Sequence, residues 1–119
     1  MQQFEVIFYT KEDGTEPAKE FIYSLNQKMR AKIILLIDML VDNGPKMREP
    51  YSKALGDGIF ELRAQFGNDI SRVLYFFITG HKIIITNGFV KKTDKTPNAE
   101  IQRAKLYRND FITRKEQLK

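Results

Sequence analysis

Cysteine is absent from the 119-residue sequence, and histidine occurs once, as His81. The lack of cysteine excludes disulfides, thiolate metal ligands and a cysteine nucleophile. A single histidine cannot build a histidine-rich zinc site. No apolar run approaches the roughly 20 residues of a membrane-spanning helix, and the N-terminus has no charged leader followed by a long apolar region. We therefore expect a soluble, cytoplasmic protein with no membrane partner.

Motifs that bind nucleotides or metals are also missing from the sequence. It contains neither the Gly-x-Gly-x-x-Gly pattern nor a phosphate-binding loop. The aspartates Asp38, Asp42, Asp57 and Asp69 are scattered, so no carboxylate cluster suggests a magnesium site. We expect no metal and no other cofactor. A serine–histidine triad is not expected either, because His81 falls at the tip of a predicted hairpin.

What is present is the composition of an ordinary globular domain. Hydrophobic residues make up 42% of the sequence and charged residues 29%. A chain of this length buries roughly two thirds of its unfolded surface, which is enough for a core without covalent staples. The sequence therefore predicts one domain over residues 1–119.

Positive charge is concentrated at the C-terminal end. Residues 1–90 carry equal numbers of basic and acidic residues, whereas residues 91–119 carry nine basic and four acidic ones and so hold the entire net charge of +5. Such an excess attracts polyanions such as nucleic acid, in a salt-dependent way. The alternative is that a C-terminal helix simply keeps a solvated, mildly basic face.

The chain divides into strands and helices with clear boundaries. Residues 4–9, rich in aromatic and β-branched side chains, predict a strand. Pro17 suits the first turn of a helix, apolar residues continue at helical spacing to Val41, and Gly44-Pro45 ends the helical region, with a possible break at residues 26–28. Residues 45–58 are predicted to form a loop.

Three strands and a helix follow this loop. Residues 59–66 alternate, residues 70–79 are apolar on both faces apart from Ser71 and Arg72, and residues 83–90 form the next strand. Tight turns join them into an antiparallel meander. Thr96-Pro97 then opens the last helix. The order β-α-α-β-β-β-α predicts an α+β domain with a small antiparallel sheet flanked by helices.

Two arginines interrupt the predicted sheet. Arg63 lies mid-strand beside Glu61 on the polar face, and Arg72 lies in a strand otherwise suited to burial. A buried arginine needs a partner, since an unpaired buried charge costs several kcal/mol. One interpretation is a structural ion pair, for instance with Glu61. The other is a cationic groove that holds a phosphate.

Lysines follow the last strand directly. Lys91, Lys92 and Lys95 are each expected to be solvated when taken alone. Together, at the end of a sheet that carries two arginines, they could converge on a phosphodiester and stabilise charge that builds up on it. Tyr107, on the last helix, could stack on a base or pack in the core.

The same residues resemble a known family. The matching segments are residues 61–63 (Glu-Leu-Arg), 69–75 (Asp-Ile-Ser-Arg-Val-Leu-Tyr), 88–93 (Gly-Phe-Val-Lys-Lys-Thr) and 95–97 (Lys-Thr-Pro), with Glu100, Ile101 and Ala104. They resemble the RelE/HigB superfamily of bacterial toxins, in its phage-derived, HigB-like branch. The N-terminal strand and helices also fit this RelE-like fold.

The resemblance implies the toxin of a type II toxin–antitoxin module. Many such toxins enter the ribosomal A site and cleave mRNA there, without a metal, by attack of the ribose 2′-OH on the neighbouring phosphate. The resemblance also implies a helix-turn-helix antitoxin that neutralises the toxin and represses the operon. Contact with DNA would then occur only through the antitoxin.

That chemistry requires a base, an acid and cations for the developing charge. We expect Arg63 and Arg72 to stabilise the phosphate, and Lys91 and Lys92 to bind phosphate or transfer protons. The residues expected to contact RNA are Lys95, Arg103, Tyr107 and Arg108. Relatives that use histidine, aspartate and tyrosine differ from this sequence, so base and acid would come from lysine, tyrosine, glutamate or the ribosome.

Three other functions fit the same sequence. A gyrase-poisoning toxin of the ParE branch has the same fold, although such toxins usually lack the basic cluster after the last strand. A non-catalytic nucleic-acid-binding module would need only the basic C-terminal segment. An inactive homologue of a toxin is the third alternative.

Overall fold

The computed structural model describes residues 3–91 and 94–117, and side chains as far as residue 115. One mixed five-stranded sheet separates two helices on one face from a single helix on the other. The elements are β1 (Glu5–Phe8), α1 (Pro17–Ser24), α2 (Gln27–Asn43), a short 3₁₀ helix (Gly44–Lys46), β2 (Ser52–Gly56), β3 (Ile59–Phe66), β4 (Asp69–Ile78), β5 (Lys82–Lys91) and α3 (Asn98–Gln117). The predicted α+β class is confirmed, and the element order matches a RelE-like fold.

Two features of the sheet differ from the sequence-based prediction. The predicted loop 45–58 contains a strand, β2, which pairs antiparallel with β3. This strand is short, lies at the sheet edge and has the sequence Ser-Lys-Ala-Leu-Gly, which has little of the β-branched character that marks strands. The N-terminal strand also pairs parallel to β5, so the sheet is not purely antiparallel. The strand order is β1-β5-β4-β3-β2.

Local interactions set the helix boundaries. The break predicted at residues 26–28 is present, because α2 begins after Asn26, whose side chain accepts a hydrogen bond from the Met29 backbone N–H at 2.9 Å. Gly44 ends α2 at φ +52°, and a Cβ at this position would lie 2.2 Å from the Phe4 ring. Glycine is therefore required there both by the backbone conformation and by the contact with the N-terminal segment.

The face under α1 and α2 is mainly apolar, and the buried hydroxyls of Ser52 and Tyr75 lie 2.5 Å apart on it, hydrogen-bonded to each other. Its buried apolar strand residues are Leu62, Ala64, Val73, Tyr75, Ile83 and Ile85. The first helix approaches β5 closely at Gly88, where a Cβ would lie 2.3 Å from the Phe21 ring. This face holds the larger of the two clusters of buried apolar residues, and burial of such residues stabilises the fold.

The opposite face, under α3, is mixed. Its buried apolar residues include Ile59, Leu74, Phe76, Ile84 and Phe89, and α3 contributes Ala104. A bulge in the pairing of β4 with β5 places Leu74 opposite Asn87. The Asn87 amide then donates to Glu100 Oε1 at 3.1 Å and to the Glu100 carbonyl at 3.3 Å. The bulge therefore fastens the first turn of α3 to the sheet.

The C-terminal half of α3 is tied to the end of β1. Tyr9 donates a hydrogen bond to Asp110 Oδ2 at 2.5 Å, and Arg114 pairs with the same carboxylate at 2.8 Å. Arg114 also donates to the Thr10 carbonyl. Burial, together with the hydrogen bond to Asp110, raises the pKa of Tyr9 from 10.0 to about 12.

No helix in the described residues is long and apolar enough to span a membrane.

The raised pKa of Tyr9 predicts a loss of stability in alkali. Between pH 10 and about 12 the unfolded chain releases this proton and the folded chain retains it. The free energy of unfolding therefore falls as the pH rises through that window. We expect Tyr9→Phe to cost stability at about pH 9 but less at about pH 11, as measured by denaturant unfolding. Tyr23→Phe, which removes the hydroxyl of an exposed tyrosine, is the matched control and should cost little stability at about pH 9.

Candidate active site

A fully buried glutamate and a fully buried arginine lie side by side under α3. Register places Arg63 of β3 opposite Arg72 of β4 and Glu61 opposite Leu74, so Glu61 is the diagonal neighbour of Arg72. Both Glu61 and Arg72 are 0% exposed. The sequence pattern predicts that Glu61 lies on a polar face, and this is wrong because α3 and the segment before it cover that face.

Thr96 closes this pair from above. Its hydroxyl lies 2.8 Å from each oxygen of the Glu61 carboxylate and donates to it, and it accepts a long hydrogen bond of 3.5 Å from Arg72 Nη1. Burial lowers the pKa of Arg72 and the negative charge of Glu61 opposes that shift. The guanidinium carbon of Arg72 also lies 5.6 Å from the centre of the Phe89 ring, a cation–π contact.

Arg63 occupies the border between this buried cluster and solvent. Its Nη2 atom donates to the Asp94 carbonyl at 2.8 Å and to Asp94 Oδ1 at 3.1 Å, and its Nε lies 3.9 Å from Glu61 Oε2. The Arg63 side chain is 14% exposed, whereas that of Asp94 is 90% exposed. The structural ion pair with Glu61, left open by the sequence, is thus present for Arg63.

Two of the three expected lysines lie in the described part of the chain, and both are exposed. Lys91 ends β5 opposite Ile70, which places it on the same sheet face as Phe89 and Arg72, and it is exposed. Lys95 is exposed in the segment that leads into α3. Lys92 falls outside the described residues.

The α3 residues expected to contact RNA have partners within the chain. Arg103 pairs with Glu100 at 2.7 Å, and Arg108 pairs with Asp57 at 3.0 Å in the turn between β2 and β3. Arg108 also donates to the Asp57 carbonyl, and this arginine lowers the pKa of the Asp57 carboxyl. The Tyr107 ring stacks on Tyr9 with centroids 4.6 Å apart. The structure therefore brings Arg63 and Arg72 together and leaves Arg108 and Tyr107 elsewhere on α3.

Sequence reasoning overlooked Thr96, Asp94 and Asn87 as parts of the site. Thr96-Pro97 is recognisable as a helix start, but its contact with Glu61 spans 35 positions of sequence. The pairing of Asp94 with Arg63 spans 31 positions. Two signals in the sequence pointed to such a polar cluster: the mid-strand Glu61, which alternates with apolar residues, and Arg72 in a strand otherwise suited to burial.

One protein-family model matches most of the chain. The model described as Phage derived protein Gp49-like (DUF891) matches residues 20–108, about three quarters of the sequence. The chain belongs to this Gp49-like family. The family is toxin-like, of the RelE/HigB type, and generally pairs with an antitoxin. A search of curated proteins finds no match. The part of the Gp49-like chain that matches contains the entire cluster from Glu61 to Glu100.

The buried cluster predicts a strong dependence of stability on Glu61. Glu61→Gln keeps the shape of the side chain but removes the charge that compensates Arg72, and breaking a buried pair of this kind costs about 3–5 kcal/mol. Denaturant unfolding of the Gp49-like protein should therefore show a large loss of stability.

Glu16→Gln is the matched control. The Glu16 side chain is partly exposed and lies 3.9 Å from that of the partly exposed Lys19, so the loss should stay below about 1 kcal/mol. Equal losses of stability in the two variants would contradict the view that the charge of Glu61 compensates the buried charge of Arg72.

Proposed function

We propose that this Gp49-like protein is the toxin of a type II toxin–antitoxin module, in the HigB-like branch, and that it cleaves mRNA in the ribosomal A site. In the proposed reaction the ribose 2′-oxygen bonds to the adjacent phosphorus as the bond to the 5′-oxygen breaks. A base takes the 2′-OH proton, and an acid protonates the leaving oxygen. The proposed partners are the ribosome, mRNA and a helix-turn-helix antitoxin, through which alone the protein would meet DNA.

The distribution of unpaired cations is the observation that supports this proposal best. Each described arginine of α3 pairs with a carboxylate: Arg103 with Glu100, Arg108 with Asp57 and Arg114 with Asp110. Lys91 and Lys95, in contrast, make no ion pair with any described side chain; Lys91 ends β5, and Lys95 lies between Asp94 and Thr96. Before α3 begins, the basic segment thus offers a polyanion two described lysines without an ion pair, close in sequence to Asp94, the partner of Arg63.

Burial divides the roles of the two arginines. Arg63 lies at the border with solvent and its exposed partner Asp94 can be exchanged for a phosphate, so we assign direct phosphate contact to Arg63. Arg72 is fully enclosed, and we assign it a fixed positive charge behind the phosphate, held in place by Glu61 and Thr96. Such preorganised charge stabilises a phosphorane without reorganisation during the reaction.

Proton transfer needs groups that can reach a phosphate bound at Arg63. We assign Lys91 and Lys92 to phosphate binding and to proton transfer, together with groups that the ribosome supplies. Lys95 and the half-exposed Arg103 are proposed to contact the RNA backbone. Because Arg108 and Tyr107 are engaged with Asp57 and Tyr9, we assign them to the packing of α3.

The proposal predicts ribosome-dependent cleavage. Primer extension on a defined mRNA should show cuts in phase with the reading frame only when translating ribosomes are present. Arg63→Lys should reduce the cleavage rate at least about tenfold, because lysine lacks the planar fork that grips a phosphate. Arg48→Lys is the matched control, since Arg48 contacts only the Pro45 and Met47 carbonyls in the described structure.

Two results would contradict this function. If folded protein gives no cuts with or without ribosomes, the gyrase-poisoning or the binding-module alternative applies, and a supercoiling assay separates them. If Arg63→Lys and Arg48→Lys both cleave like the wild type, Arg63 does not contact the phosphate.

A second prediction concerns Asp94, which competes with substrate for Arg63. Exposed ion pairs contribute up to about 1 kcal/mol, so Asp94→Asn should raise cleavage at limiting ribosome concentration by about two- to fivefold. Asp38→Asn, on the exposed side of α2, makes the same change in charge and should have no effect. A large loss of activity in Asp94→Asn would instead make Asp94 part of the reaction.

A further inference from the structure

An apolar groove opens beside Arg63, between α2 and the end of β3. Its volume is about 530 Å³, within the range of small-molecule sites. The apolar lining comprises Leu35, Leu36, Met39, Pro50, Tyr51, Ala64 and Ile70. Lys32, Arg63, Gln65 and Asp94 complete it.

The groove exists because β2 is shorter than its partner strand. Pairing of β2 with β3 ends at Ser52 and Leu62, whereas β3 continues to Phe66. Arg63 still donates its backbone N–H to the Tyr51 carbonyl at 2.9 Å, which holds Tyr51 at the rim. On the other side Lys32 of α2 donates to the Gln65 carbonyl at 2.7 Å. The uncovered stretch of β3 is thus the floor of a defined cleft.

Two large side chains of the groove remain open to solvent. Leu35 is 60% exposed and Tyr51 is 48% exposed. Exposed apolar surface of this kind, rimmed by polar groups, marks a binding site. An exposed aromatic ring is the usual platform for an unstacked RNA base.

The charges of the groove favour an anionic ligand. Lys32 and Arg63 face a single carboxylate, Asp94, so the lining carries a net positive charge. Arg63 and Asp94 belong both to this groove and to the buried cluster. A ligand with a flat apolar body joined to a phosphate would therefore satisfy the apolar walls and Arg63 at once.

We propose that this groove binds the base of the nucleotide next to the scissile phosphate, with Tyr51 as the stacking platform. As an assignment of substrate position, this inference rests on the proposed cleavage of RNA. Arg63 then holds the phosphate that joins the nucleotide in the groove to its neighbour at the cluster. Gln65, whose exposed amide can both donate and accept, lies where it can contact a base edge.

The test is an NMR titration of the whole ¹⁵N-labelled protein with the 2′-O-methyl dinucleotide ApA, which cannot be cleaved. We expect saturable shifts of the Leu35, Tyr51 and Gln65 amides, with half-saturation at about 1 mM or below. Tyr51→Ala should weaken binding at least about fivefold, the lower end expected for one lost base stack, and Tyr51→Phe should retain it.

Tyr23→Ala is the matched control, because Tyr23 is exposed on α1 and does not line the groove. It should bind the dinucleotide as tightly as the wild type. If the dinucleotide causes no saturable shifts at the groove, or if Tyr51→Ala binds like Tyr51→Phe, the inference is wrong; a groove that receives a segment of a partner protein gives the first of these results.

The binding titration and the cleavage assay can fail separately. Saturable binding in the groove without ribosome-dependent cuts would leave a nucleotide site and remove the proposed RNase function. Ribosome-dependent cuts without shifts at the groove would preserve the RNase function and overturn the inference.

Discussion

The carboxylate of Glu61 is the group on which the site depends. It is fully buried, and its location brings Arg63, Arg72 and Thr96 within reach of one negative charge. Burying a guanidinium without such a charge costs several kcal/mol, and so Arg72 could not occupy the middle of β4 unless Glu61 lay diagonally across from it. The bulge in β5 and the contact of Asn87 with Glu100 serve the same end, because they hold the start of α3 over the pair.

The two faces of the sheet divide stability and function between them. The face under α1 and α2 is filled mainly with aliphatic and aromatic residues, and the polar groups buried on it among the described residues are uncharged. The face under α3 changes along its length, from apolar packing around Phe76 and Phe111 to the charged cluster at Arg72. The polar site contributes less to the free energy of unfolding than apolar packing in the same place would. The fold tolerates this because the other face already supplies the core.

Much of the fold could be predicted from local patterns. The alternation in residues 59–66 and the two-residue turn Gly67–Asn68 together fix the register that places Arg63 opposite Arg72. The pairing of β1 with β5 and the burial of Glu61 could not be predicted in the same way, because they depend on contacts between distant parts of the chain. The strand β2 could not be predicted either, because its sequence has little strand character. The groove begins where this edge strand ends, and so it could not be predicted from the sequence.

The two arginines differ in what an approaching phosphate must displace. At Arg63 the phosphate replaces Asp94, a 90% exposed carboxylate whose pairing contributes at most about 1 kcal/mol. At Arg72 it would have to displace Thr96 and compete with a buried carboxylate, which is far more costly. An anion that reaches the site therefore exchanges partners at Arg63 and leaves Arg72 in place. Since Arg63 also lines the groove of Tyr51, that exchange occurs where an apolar wall and a fixed positive charge meet, and this is the combination that a nucleotide requires.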